Sequence, residues 1–287
     1  MERKAIQRIL EEQDLPTLPE VIGRIQEAYE REKTSAQEMA AILESDSAVS
    51  ARILKLANSA YYGLPKQVAS VPRAVVVLGF TAVRDLALTT AIFDTFSGKQ
   101  PMALDPERFW MHSLGTAKAA NLVAKKYCPR ASAEGCFTVG LLHDIGKFVL
   151  ALAFKDEYGE ILQEAKSDSR PVHDIEQARL GTDHSEVGAL LAETWNLPEL
   201  FVQVIRYLPQ ESEYTGPFVE DLRAVAIGHD VARKAGFDGD GSTGEPRFDR
   251  GLIDPIGIDD EAIEGLEKEV RAYGDMAAQF FHILQEA

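Results

Sequence analysis

Apolar positions recur along the chain at three- and four-residue spacing, and no segment sustains the strict alternation of a half-buried strand. That pattern predicts helices from end to end, hence an all-α protein. The most apolar stretch is GLLHDIGKFVLALAF, from Gly140 to Phe154. Thr138, Leu141, Leu142, Ile145, Phe148, Val149 and Leu152 fall at helical spacing, so one helix with a face deep in a core is expected there. His143 and Asp144 lie just off that stripe. An unpaired polar or charged group at the margin of a core costs several kcal/mol, so this pair needs a divalent metal or hydrogen-bonding partners.

Punctuation divides the rest of the chain. A helix over residues 2–12 is closed by the Leu15–Pro19 run LPTLP, and Val21, Ile22, Ile25, Ala28 and Tyr29 share the face of the next. Ser35 with Glu38 forms a capping box for a third helix. Asp46 caps a fourth, predicted to run to Tyr62 and to stop at Gly63. A short helix over residues 71–78 breaks at Gly79, and a second follows to Phe96; the pair is apolar on nearly all sides, as expected between other layers. After a Gly/Lys/Pro loop, residues 106–127 carry His112, with Gly115, Thr116 and Ala119 leaving room for a close helix neighbour. Helices over residues 155–166, 171–180, 183–195 (capped by Asp183 with Glu186), 198–207 and 218–236 complete the pattern. A loop then leads to one long helix that Asp259 and Asp260 begin.

The composition, 45% hydrophobic and 26% charged over 287 residues, is that of a folded globular chain. A net charge of -16 with no segregated basic stripe argues against nucleic-acid partners and anionic membrane surfaces. The helix pair around Gly79 has the outline of a helix-turn-helix, but its second member, TAVRDLALTT, offers only Arg84 to a phosphate backbone, so two packed core helices are the better reading. Two cysteines, no signal-like start and no stretch judged long enough to span a bilayer point to a cytoplasmic, reducing location. Asp238, Asp240 and Ser242 alternate like calcium ligands, yet Thr243 and Asp249 stand where glycine and glutamate are needed, which leaves a solvated turn.

The residues suited to chemistry are His112, His143, Asp144, His184 and Asp230, whose nitrogen and oxygen donors suit a divalent transition metal. Lys147 is placed either to hold a phosphate or to pair with Asp144 three residues earlier. His229 is read as a companion of Asp230, and His173 and His282 as surface or packing residues.

The order His112, His143-Asp144, Asp230 resembles the H…HD…D pattern of the HD superfamily of metal-dependent phosphohydrolases. HDIGK is also the form found in HD-GYP cyclic-di-GMP phosphodiesterases. A wider resemblance covers roughly residues 14–236: LPTLPEV, SDSAVSARILKLANSAYYGL, AVVVLGFTAVRDLAL, WMHSL, GLLHDIGK and LGTDHSEVGALLAETWNLPE are similar to the HDOD domain, the HD-related output domain of bacterial signalling proteins. The resemblance implies an N-terminal helical lobe (1–97), an HD-like helical core (98–236) and a loop with a C-terminal helix (237–287) completing one module.

It also implies a non-catalytic regulatory module that works by contact with signalling proteins of two-component or cyclic-dinucleotide pathways. His112, His143, Asp144 and Asp230 would be ligands of one divalent metal, and His184 a further ligand by likeness to HD-GYP proteins. The GYP-type signature is absent, and Arg206-Tyr-Leu-Pro209 stands where HD-GYP and many HDOD sequences carry paired histidines. The alternative is an HD-type phosphohydrolase of nucleotides or cyclic dinucleotides, with Lys147 neutralising developing charge. Because phosphate contacts supply most non-specific affinity, micromolar protein is expected to leave duplex DNA unshifted in a low-salt mobility assay. Salt-sensitive retardation would contradict the charge argument.

Overall fold

The computed structural model describes residues 20–31, 34–59, 62–96, 103–239, 246 and 248–285, and the regular elements among them are all helical. The fold is all-α. The helix expected over residues 2–12 and the turn from Asp240 to Thr243 lie outside the described residues. The chain divides into two compact units: residues 20–96 with 274–285, and residues 103–273.

In the first unit, α1 (Glu20–Glu30), α2 (Ala36–Glu44), α3 (Ser47–Ala57), α4 (Val71–Leu78) and α5 (Phe80–Phe96) follow one another. The capping box at α2 is complete: Ser35 Oγ accepts from the Glu38 N–H at 3.1 Å and Glu38 Oε2 from the Ser35 N–H at 2.9 Å. Helix α3 stops at Ala57, short of the predicted Tyr62. Asn58 ends it by donating to the carbonyls of Leu54 and Val68, both at 2.8 Å, while accepting from the Val68 N–H at 2.7 Å. Helices α4 and α5 bend by 119° at Gly79, whose φ of 87° suits glycine. Residues 83–96 of α5 are buried apart from Asp94, and Arg84 ion-pairs with Asp85 at 2.7 Å. The one arginine of the outline helix-turn-helix is thus inside the protein, as the core-helix reading expects.

The second unit holds α6 (Pro106–Tyr127), α7 (Ala133–Leu142), α8 (Ile145–Asp168), α9 (Val172–Leu180), α10 (His184–Thr194), α11 (Glu199–Tyr207), α12 (Val219–Lys234), α13 (Arg250–Ile253) and α14 (Asp260–Arg271). Asp105 starts α6 by accepting from the N–H groups of Glu107 and Arg108. Helix α6 is central because two neighbours meet it backbone to backbone. A Cβ on Gly140 of α7 would lie 2.9 Å from Ala117 Cα, and one on Gly228 of α12 would lie 2.5 Å from Ala120 N. Helix α8 kinks at Lys155 (φ 26°), where the sequence pattern divides two helices.

Two expectations are corrected here. The single terminal helix is two, α14 and α15 (Gly274–Gln285), separated at Ala272-Tyr273. Helix α15 belongs to the first unit, where Phe281 meets Phe93 edge-on at 5.9 Å. The stretch Ala133–Asp168 is, counter to expectation, long and apolar enough to cross a membrane, although 83% of its most apolar window is buried within the protein.

The close approaches generate a paired expectation. Gly228→Ala forces a methyl onto the backbone of α6 and is expected to cost about 1–3 kcal/mol or more. Gly265→Ala, on an exposed position of α14 with nothing within 4 Å, is expected to gain up to about 1 kcal/mol from helix propensity. Thermal melts of both variants check the sign of each change.

Candidate functional site

Helix α7 ends at Leu142 and α8 starts at Ile145, so His143 and Asp144 form a two-residue turn rather than the middle of one helix. A helix would hold adjacent side chains about 100° apart; the turn removes that restraint. Here His143 meets His112 of α6. The Nδ1–H of His112 donates to the Phe237 carbonyl at 2.7 Å, and that of His143 to the Gly140 carbonyl at 2.8 Å. A carbonyl only accepts, so both Nδ1 atoms carry a proton, and in the neutral tautomer it is the Nε2 atoms that bear the lone pairs. Those Nε2 atoms face each other at 3.3 Å. Two lone pairs at that distance repel unless a cation or proton lies between them.

His229 of α12 closes the group. Its ring lies 5.1 Å from that of His112 and 5.4 Å from that of His143, and one nitrogen of each can be chosen so that all three lie within 4.8 Å of one another. Metal–nitrogen bonds of 2.0–2.1 Å in a tetrahedron place ligand atoms roughly 3.3 Å apart, which is the His112–His143 separation. The carbonyl bonds behind both rings are the outer support such ligands require. The three imidazoles therefore fit a metal ion. His112 and His143 are buried, whereas the His229 side chain is 22% exposed and marks the open side.

Asp144 sits behind the histidines with both carboxylate oxygens engaged. Oδ2 lies 2.7 Å from Lys147 Nζ, 3.4 Å from His143 Nε2 and 3.9 Å from His112 Nε2; Oδ1 lies 3.5 Å from His184 Nε2. Burial opposes its charge, but His143, Lys147 and His184 outweigh burial and hold the carboxyl well below the usual range. His184 reaches this place because α8 and α10 touch at their glycines: a methyl on Gly146 would overlap the His184 carbonyl and come within 2.7 Å of Gly188 N.

The buried Glu176 of α9 secures His184 from behind. It accepts from the His184 Nδ1–H at 2.5 Å, the His184 N–H at 3.0 Å and the Tyr158 hydroxyl at 2.6 Å. Burial disfavours both charges of this pair, yet their mutual attraction and hydrogen bonds prevail, so the glutamate is shifted down and the imidazole up.

Of the residues singled out from sequence, His112, His143, Asp144, His184 and Lys147 converge. Asp230 lies outside the metal-capable group and faces Arg233 and the His229 ring, each at 3.8 Å. His229, set aside from sequence as a companion, supplies the third nitrogen. Helical spacing carried the signal: His229 follows buried Leu222 by seven residues and buried Val225 by four, whereas Asp230 shares the half-buried face of Arg223, Ala226 and Arg233. Glu176 carried no comparable mark.

The HDOD domain family model matches residues 15–210. This chain belongs to the HDOD domain family. An uncharacterized protein of Treponema pallidum (strain Nichols) is 28% identical over 214 residues, which are 73% of this chain and 41% of that protein. The HDOD chain thus spans well under half of that relative. Among solved structures, an HDOD domain protein with unknown function from Geobacter sulfurreducens is 25% identical, with a TM-score of 0.74 over 95% of this chain and 93% of that one. A candidate signal transduction protein from Marinobacter aquaeolei VT8 is 23% identical, with a TM-score of 0.83 over 99% of this chain and 65% of that one. A candidate phosphohydrolase from Shewanella amazonensis SB2B is 24% identical, with a TM-score of 0.73 over 96% and 97%.

Removing one member of a buried ion pair strands the other, so Glu176→Gln is expected to destabilise this HDOD domain by about 3–5 kcal/mol at neutral pH. The glutamate is shifted below its ordinary value of 4.5, so its contribution is present above that value and lost as pH falls through the lower, folded one. His184 is shifted above 6.5, so its contribution is present below 6.5 and lost as pH rises through the higher, folded one. Denaturant melts of the two proteins should therefore differ most between about pH 4.5 and 6.5, with the difference shrinking as pH falls through the lowered, folded value of Glu176 and as pH rises through the raised, folded value of His184.

Proposed function

We propose that this HDOD domain is a regulatory output module of bacterial signal transduction, acting by contact with protein components of two-component or cyclic-dinucleotide pathways and not by catalysis. Family membership supports the regulatory half. The observation that carries the non-catalytic half is the Lys147 ammonium, 2% exposed and 2.7 Å from the Asp144 oxygen that faces the histidines. A buried carboxylate already neutralised by a lysine of its own chain is a poor further ligand. The same pairing withdraws Lys147 from any phosphoryl group, so the role it would need in a hydrolase is lost unless the pair opens.

His112, His143 and His229 would hold a divalent transition metal of the class that prefers imidazole nitrogen. When bound in a hydrolase, such an ion supplies a nucleophilic water and polarises a phosphoryl oxygen. In this chain the residues around it do something simpler. The carbonyl-anchored rings of His112 and His143, with the His229 ring against both, bring α6, the 143–144 turn and α12 to one point, which suits a rigid surface for partners. The facing Nε2 pair also favours a second reading, a metal-dependent phosphohydrolase.

Metal analysis with a hydrolysis screen separates the two. About one transition metal per chain is expected, lost in His112→Ala and His229→Ala, with no turnover of bis(p-nitrophenyl) phosphate or cyclic di-GMP above the His112→Ala background. Metal-dependent turnover abolished by Asp144→Asn would establish the hydrolase instead.

A further inference from the structure

Beside the 181–183 turn that precedes α10, and lined by none of the three imidazoles, is a cavity of about 580 Å³. Its wall comes from α9, the turn before α10 and the end of α11, and includes His173, Asp174, Thr182, Asp183, Glu186 and Arg206. Ligand sites for small organic molecules occupy this range of volumes and carry a few convergent polar groups. Three of the wall residues are carboxylates. The single guanidinium is already shared, with Arg206 2.9 Å from Glu193 and 3.8 Å from Glu186, so the wall keeps an acidic surplus. His173 does not offset it, because burial and the neighbouring His184 lower its proton affinity.

A second observation points to a missing occupant. Thr182 lines the cavity and is 5% exposed, and its Oγ1 has no hydrogen-bond partner. Buried hydroxyls are ordinarily satisfied, and one left open beside a polar cavity is explained when a ligand completes it. The Oγ1 is itself shielded, and a change between threonine's staggered χ1 rotamers is the movement that would turn it to an occupant.

We propose that this cavity binds a small organic cation, an aliphatic amine or diamine, through Asp174, Asp183 and Glu186, with the Thr182 hydroxyl completing the set. A bare metal ion is disfavoured: among the described residues only His112, His143 and His229 bring three ligand atoms together, so the cavity carboxylates stand apart, as the separated ammonium groups of a diamine require. The site goes beyond the regulatory reading and does not depend on it. It does give that reading an input, since Asp183 caps the helix whose first residue is His184 and accepts from the N–H groups of Ser185 and Glu186.

Isothermal titration calorimetry of the full chain with putrescine and spermidine tests the site. Saturable, one-site binding is expected, weakened at least tenfold in Asp174→Asn/Glu186→Gln. The control Glu261→Gln/Glu264→Gln, on exposed positions of α14, should bind like the parent despite the same loss of charge. Thr182→Val should keep the parent thermal midpoint, or raise it, while weakening the amine. Absence of heat with both amines would overturn the proposal. So would equal weakening in both double variants, which would reduce the effect to general attraction by a chain of net charge -16.

Discussion

A carboxylate that is 3% exposed cannot be left to solvent, and the second unit is arranged so that Asp144 is not. Its compensation must come from side chains, because the turn it occupies offers no side-chain cap of its own. Lys147 is available by chain connectivity, one helical turn on, but His184 and the His112–His143 pair are not. They reach Asp144 only because helices touch through glycines: Gly140 against Ala117 seats the 143–144 turn beside α6, and Gly146 against Gly188 seats α10 beside α8. Larger residues at those points would separate the backbones by a side chain, and an ion pair in low dielectric weakens steeply with that separation. Close packing and charge compensation are here one requirement.

That coupling explains what could be read from the chain. Helix starts were legible where the signal is local: Ser35, Asp46, Asp183 and Asp259 each accept from N–H groups two or three residues on. The kink at Lys155 was legible because the apolar pattern itself changes there. The break at His143-Asp144 was not. Helices α7 and α8 are buried on nearly all sides near the turn, so apolar residues continue through it and the periodicity has no polar face to interrupt. The early end of α3 was hidden for a different reason, since Asn58 is fixed by Val68, ten residues away. The divided terminal helix was hidden because buried residues continue on both sides of the break.

The site was legible in part for the same reasons. His143, Asp144 and Lys147 form a local cluster, and His112 announces itself by the small residues that follow it. Choosing Asp230 over His229 came from a pattern of residue types, where the face of the helix carried the better information. Glu176 shows the limit. Nothing near it in sequence distinguishes it from a surface glutamate, yet it is fully buried and satisfied by Tyr158 and His184.

The lysine on Asp144 then bears on what the metal-capable histidines are for. An imported dication and the Lys147 ammonium both draw on the negative charge of one carboxylate, so each weakens the other's hold on it, and in a low-dielectric site that competition is strong. Three imidazole nitrogens remain as donors whether or not the carboxylate takes part. Such a group retains its affinity for a transition metal through nitrogen, while the anionic oxygen that would help a bound water lose its proton is neutralised. It is this one ammonium group, rather than any missing histidine, that carries the proposed reading of the site as a point holding three helices in register.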